Sequence, residues 1–132
     1  MPTRFTVLHD DITTLPSDLL LLKHAMGFHG GDLVVAHLLT GSRICTEDEI
    51  SPHLDKFAIV DTRKLIAPAR VMFLGTQHLG VFSYSQMRHF AARAIEIIKR
   101  EKLSVRLLTT TIHGVGLALH PDCKIDEIAF VE

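Results

Sequence analysis

The 132-residue chain contains no tryptophan, a single tyrosine and only two cysteines. Cys45 and Cys123 lie far apart and in no Cys-x-x-Cys spacing, which argues against a disulfide framework or a thiolate zinc site and suggests two idle thiols. Apolar runs are short, as in Leu19 to Leu22, far below the roughly 18 residues that a membrane span needs. The Met1 end has no signal-peptide layout, so the expectation is a soluble, cytoplasmic protein without a membrane partner. A basic excess is missing as well. Lys and Arg number 14 against 15 Asp and Glu, a net charge of −1, and no broad positive field draws the chain onto long nucleic acid.

What is present is ordinary globular material, 47% hydrophobic and 22% charged, which suits one domain over residues 1–132. A chain of this size buries about two thirds of its unfolded surface and needs neither metal nor disulfide to hold its core. Histidine is the unusual component at 9 residues, and imidazole changes charge close to neutral pH.

The order of elements follows from pattern and punctuation. Phe5, Val7 and Leu8 predict a short first strand ending near Asp11, where Asp10, Asp11, Thr13, Thr14 and Pro16 interrupt it. Residues 18–23 carry four leucines and read as a strand buried on both faces, because Gly27, Gly30 and Gly31 follow. Asp32 is placed as the N-cap of a helix through Leu39 that ends at Gly41. Residues 42–56 are mostly loop, with one helical turn started by the Thr46 and Glu49 capping box. Residues 57–60 and 70–74 predict two buried strands around the Ala67-Pro68 turn. Ser83 and Gln86 form a second capping-box pair, and Met87, Phe90, Ala91, Ala94, Ile95 and Ile98 recur at helical spacing behind it. Lys99, Arg100 and Lys102 suit the end of that helix. A β-branched strand over 104–112 follows, then a terminal helix over 122–131 with Ile125, Ile128 and Ala129 on one face. The alternation predicts an α/β fold, a three-layer domain with helices on both faces of a mostly parallel sheet.

Such sheets bind ligands in loops beyond the carboxyl ends of their strands, which singles out residues 10–14, 27–32 and 113–120. The last is the most informative, because Ile112-His113-Gly114-Val115-Gly116 leaves a strand with two glycines that can turn backbone amides onto a phosphate. His113 and His120 can add hydrogen bonds or move protons there; a plain turn with surface histidines is the competing reading. Gly30 and Gly31 open the earlier helix to an anion in the same way. Asp11 is placed to accept from an exocyclic amine such as that of adenine, or else to cap its own turn. No His-Glu-x-x-His and no Gly-x-Ser-x-Gly occurs, so neither a metal cofactor nor acyl transfer is expected.

Together these stretches resemble known proteins. Val7-Leu8-His9-Asp10-Asp11-Ile12-Thr13, then a strand, then Gly30-Gly31-Asp32 opening a helix, looks like the start of macro domains, which carry Gly-Asp-Ile-Thr and a Gly-rich loop before a helix. Ile112-His113-Gly114-Val115-Gly116-Leu117 resembles their second phosphate loop. Ala69-Arg70-Val71-Met72-Phe73-Leu74-Gly75 before a long helix is closer to the macro-like N-terminal domain of leucyl aminopeptidases. The similarities span nearly the whole chain. They imply a macro-like pocket for an adenine-containing phosphorylated nucleotide, of the ADP-ribose or signalling-oligonucleotide class, contacted by Asp11, Ile12, Gly30, Gly31, His113, Gly114, Val115, Gly116 and Leu117. The hydrolytic members carry Asn residues where this chain has Leu22-Lys23-His24-Ala25, so their activity is not carried over. Asp10 also replaces the first Gly of the motif, and the aromatic residue of the second loop is missing around Leu117.

Besides nucleotide binding, two further readings stand at this stage. One is a metal-independent phosphodiesterase of the ring nuclease type, in which His113 or His120 helps a ribose 2′-hydroxyl attack the adjacent phosphate of a cyclic oligoadenylate. The other is a structural or regulatory domain whose pocket is vestigial. A homodimer is expected from Val81, Phe82 and Tyr84, an apolar cluster just ahead of a helix.

Overall fold

The computed structural model describes residues 4–8, 10–77 and 83–111. Its elements are β1 (Leu19–His24), α1 (Gly31–Gly41), a 3₁₀ turn (Asp48–Ile50), β2 (Phe57–Asp61), β3 (Arg70–Gly75), α2 (Tyr84–Arg100) and β4 (Leu108–Thr110). The strands form one mixed sheet in the order β2-β3-β1-β4. The α/β architecture expected from the sequence is present.

The leucine run explains the centre of the sheet. Side chains alternate across a strand, so Leu19 and Leu21 pack with Met72 and Leu74 of β3 against Phe90, Ala94 and Ile97 of α2. Leu20 and Leu22 pack with Val71 and Phe73 against Val35, Ala36 and Leu39 of α1 on the opposite face. A strand flanked by β3 and β4 and covered on both faces has no polar side to show, hence four leucines in succession.

Two strand pairings are parallel, β1 with β3 and β1 with β4. The third, β2 with β3, is antiparallel. Residues 62–69 are too few for the crossover of about a dozen residues that a parallel return requires, so the chain folds straight back. Among the described residues β2 is an edge strand and only half-buried, where the sequence suggests burial. Thr62 fastens that return by donating its hydroxyl to the Pro68 carbonyl at 2.6 Å.

Several local expectations change. No strand forms over residues 4–8; they are exposed, Phe5 at 89%. A short β-rich run becomes a strand only where a neighbour supplies a ladder and a face to cover it, and among the described residues none takes this segment. Asp32 is not a cap: Gly30 holds the N-cap position of α1. The Thr46 and Glu49 box does close, with the Thr46 amide and hydroxyl donating to Glu49 Oε1 at 3.3 and 3.0 Å and the Glu49 amide to Thr46 Oγ1 at 3.4 Å. Ser83 stands at the N-cap of α2 but makes no side-chain cap bond. The buried stripe of α2 turns toward Ile97 and leaves Ala91 and Ile95 exposed, because contact with one sheet face takes a narrower arc than the apolar periodicity covers. The terminal helix expected over 122–131, the Val81 and Phe82 part of the proposed dimer cluster, and Cys123 lie outside the described residues.

β4 is shorter than the 104–112 strand read from the sequence. Its entry is held by Asp18, whose Oδ2 accepts from the amides of Arg106 at 2.8 Å and Leu107 at 2.9 Å, while the Asp18 amide donates to the Leu107 carbonyl at 2.9 Å. The Leu107 and Arg106 amides hold the Asp18 carboxyl below the ordinary aspartate range. A folded-state pKa below the unfolded one gives stability that is present above the ordinary value, near pH 4, and is lost as pH falls through the lowered one. Asp18→Asn is therefore expected to lower the urea midpoint at pH 7, with the gap from the parent closing in progressively stronger acid; an equal gap at both ends of the titration would remove the linkage.

Candidate functional site

The winding of the sheet places a site. From β1 the chain passes through α1 to β2 and folds back into β3 on one side, and from β3 it crosses through α2 to β4 on the other side of β1. The two helices cover opposite faces. A parallel sheet whose winding reverses opens a crevice between the carboxyl ends of the two strands at the reversal, here β1 and β4.

Elements from distant parts of the sequence meet there. Gly30 ends the loop from β1 and opens α1 with φ +55° and ψ −127°, a backbone state that side chains disfavour. A Cβ on Gly31 would sit 3.2 Å from Ile12 Cδ1 and 3.3 Å from Thr111 Cγ2, so the first loop, the helix entrance and the end of β4 are in contact around this glycine. The Asp32 amide donates to the His29 carbonyl and the Leu33 amide to the Gly30 carbonyl, each at 3.1 Å, and the helix dipole adds partial positive charge at that point.

Beneath the helix entrance lies a buried ion pair. Lys23 Nζ donates to Asp32 Oδ2 at 2.7 Å, with side-chain exposures of 6% and 1%. Burial pushes the Asp32 carboxyl above the ordinary aspartate value, and the Lys23 ammonium opposes that shift. Thr111 Oγ1 approaches Asp32 Oδ1 at 3.4 Å. The signal for this pair was present in the sequence: a lysine ending a run of buried leucines must find a counter-charge, and an aspartate follows the glycines.

The expected site residues fare differently. Gly30, Gly31 and Ile12 converge. Asp11 ends no strand; its Oδ1 accepts from the Thr13 amide at 2.9 Å and the Thr13 hydroxyl at 2.7 Å, with the hydroxyl the larger cause of a carboxyl pKa below the ordinary value. It therefore caps its own turn, the plainer of the two roles read from the sequence. His113, Gly114, Val115, Gly116, Leu117 and His120 lie outside the described residues.

Next to the crevice is a cavity of about 590 Å³ that the sequence did not suggest. It opens beyond the carboxyl ends of β1 and β3 and is lined by His24, Met26, Glu47, His53, Thr76 and Gln77, among others. The loop before β2 closes one wall: Leu54 bridges to Gly75, the Asp55 amide donates to the Gly75 carbonyl at 3.0 Å, and the Gly75 amide to the Lys56 carbonyl at 2.9 Å. The opposite wall is fixed by the Thr76 amide, which donates to the His24 carbonyl at 3.0 Å. Cys45 is buried, and desolvation followed by the nearby Glu49 charge pushes its thiol pKa up, the environment of an unreactive cysteine. Among the described residues, no group of three or more His, Cys, Asp or Glu side chains is placed to hold a metal ion, and no helix is long and apolar enough to cross a membrane.

No family model matches this sequence, and neither a curated protein nor a solved structure matches it.

Proposed function

We propose that this chain is a macro-like nucleotide-binding domain whose phosphate site is the crevice between β1 and β4. The observation that carries the reading is the reversal of winding at β1, with the Gly30-Gly31 helix entrance, Ile12 and Thr111 gathered at that point. The ligand is a phosphorylated adenine nucleotide of the ADP-ribose or oligoadenylate class, and its phosphate lies at the entrance of α1, where the helix dipole favours an anion. Lys23 neutralises Asp32 beside that helix end, so the buried carboxylate does not repel an incoming anion. Thr111 leads directly into the 112–117 stretch that resembles a second phosphate loop.

A ligand that binds only the folded state raises its stability, by about 2.7 kcal/mol at a hundredfold excess over Kd. ADP, ADP-ribose and a cyclic oligoadenylate are accordingly expected to include at least one that raises the melting temperature of the parent by several degrees. Gly30→Val is expected to erase that rise. Its side chain meets open space, and the damage comes from a backbone state that costs a non-glycine residue on the order of 1–3 kcal/mol. Melting curves that none of the three ligands moves would defeat the reading.

A further inference from the structure

The cavity beside His24 has a chemistry of its own. His24 Nδ1 lies 3.1 Å from the Pro52 carbonyl. A carbonyl can only accept, so Nδ1 carries the proton, and in the neutral ring Nε2 is left as an acceptor. The ring is held in place: Phe28 meets it edge-on with centroids 4.9 Å apart, and Phe28 in turn meets Phe73 at 5.5 Å. Glu47 adds an exposed carboxylate to the lining and Gln77 an amide, while Met26 and Leu54 add apolar surface. A fixed imidazole acceptor beside a carboxylate, with apolar flanks, suits a flat ring that presents N–H donors.

The cavity also adjoins the crevice through consecutive residues. Lys23 reaches Asp32 at the helix entrance, and the next residue, His24, lines the cavity. Asp11, the carboxylate that the sequence offered to the base, is instead bonded to Thr13.

We propose that this cavity is the base subsite of the nucleotide, taking a purine whose exocyclic amine donates to the acceptor face formed by His24 Nε2 and the Glu47 carboxylate. This rests on the nucleotide reading above. Specificity for the amine thus lies with His24 and Glu47, and phosphate affinity with the α1 entrance.

The test is calorimetric titration of the full chain with ADP and with inosine diphosphate, which has the same size but carries a carbonyl in place of the amine. The parent is expected to prefer ADP by about tenfold, the cost of leaving the two acceptors without their donor. In His24→Leu the preference collapses toward unity because ADP binding weakens, and in Glu47→Gln it shrinks. Gly30→Val weakens both nucleotides alike and leaves the ratio unchanged. Glu47 is exposed, so its variant carries the test if His24→Leu does not fold. Equal binding of the two nucleotides by the parent, or a preference that survives both substitutions, would overturn the base subsite and leave the phosphate crevice standing. Failure of both nucleotides to bind, with ADP-ribose and a cyclic oligoadenylate also leaving the melting curve unmoved, would overturn the two together.

Discussion

Asp32→Ala is expected to destabilise the protein by about 3–5 kcal/mol, because it removes the carboxylate that the Lys23 ammonium meets at 2.7 Å in the interior. Lys23 is 6% exposed and Asp32 1%, so little water reaches either group. The mirror variant Lys23→Met leaves a buried carboxylate at the entrance of α1 and is expected to cost a similar amount. Replacing both partners by apolar residues of matching volume removes the desolvation cost along with the attraction, so the double variant Lys23→Met, Asp32→Leu is expected to recover much of the loss. Urea denaturation of the three proteins measures this directly. Single variants within about 1 kcal/mol of the parent would mean that the pair is solvated in solution. The acid dependence has the opposite sign to that of Asp18. The Asp32 carboxyl sits above its ordinary value through burial, so its proton is held more tightly in the folded state. Its contribution is largest below pH 4 and falls as pH rises through the raised value.

Gly75→Ala is expected to cost about 1–3 kcal/mol through overpacking, and a loss above that range is consistent with its position. A Cβ on Gly75 would collide with the carbonyl of His53 and stand 2.7 Å from the carbonyl of Pro52. Both neighbours are backbone, so no side chain can swing aside; the 52–56 loop itself must leave the end of β3. That loop forms a wall of the cavity, so the variant is expected to lose any preference between ADP and inosine diphosphate together with its thermal stability. Gly41 provides the contrast. It lies in the last turn of α1, and a Cβ there meets nothing within 4 Å. Gly41→Ala should therefore gain up to about 1 kcal/mol from helix propensity alone. Calorimetric melting of the two variants separates them, and equal melting temperatures would show that the Gly75 contact relaxes without cost.

Much of the architecture was legible because its causes are local. The leucine run marked a strand buried on both faces, the Thr46 and Glu49 spacing marked a capped turn, and the period of Met87, Phe90, Ala94 and Ile98 marked α2. At the site, Gly30 and Gly31 could be named because a helix entrance needs a particular backbone, which is also a local demand. For Asp11 the sequence permits either role, a contact to the base or a cap on its own turn, and the bonds to Thr13 are a matter of exact hydrogen-bond geometry that the sequence does not carry.

By itself, then, the sequence determined which segments are helix and strand in the body of the chain, which side chains are apolar enough for its core, and where the backbone must accept glycine. These follow from periodicity, side-chain volume and the φ range a Cβ allows. Only the tertiary structure decided the direction of β2, the exposure of Phe5, Val7 and Leu8 and the cavity beside His24. Each of these depends on which distant segment lies alongside, and that is settled by how the strands share one sheet and what the connections between them can span.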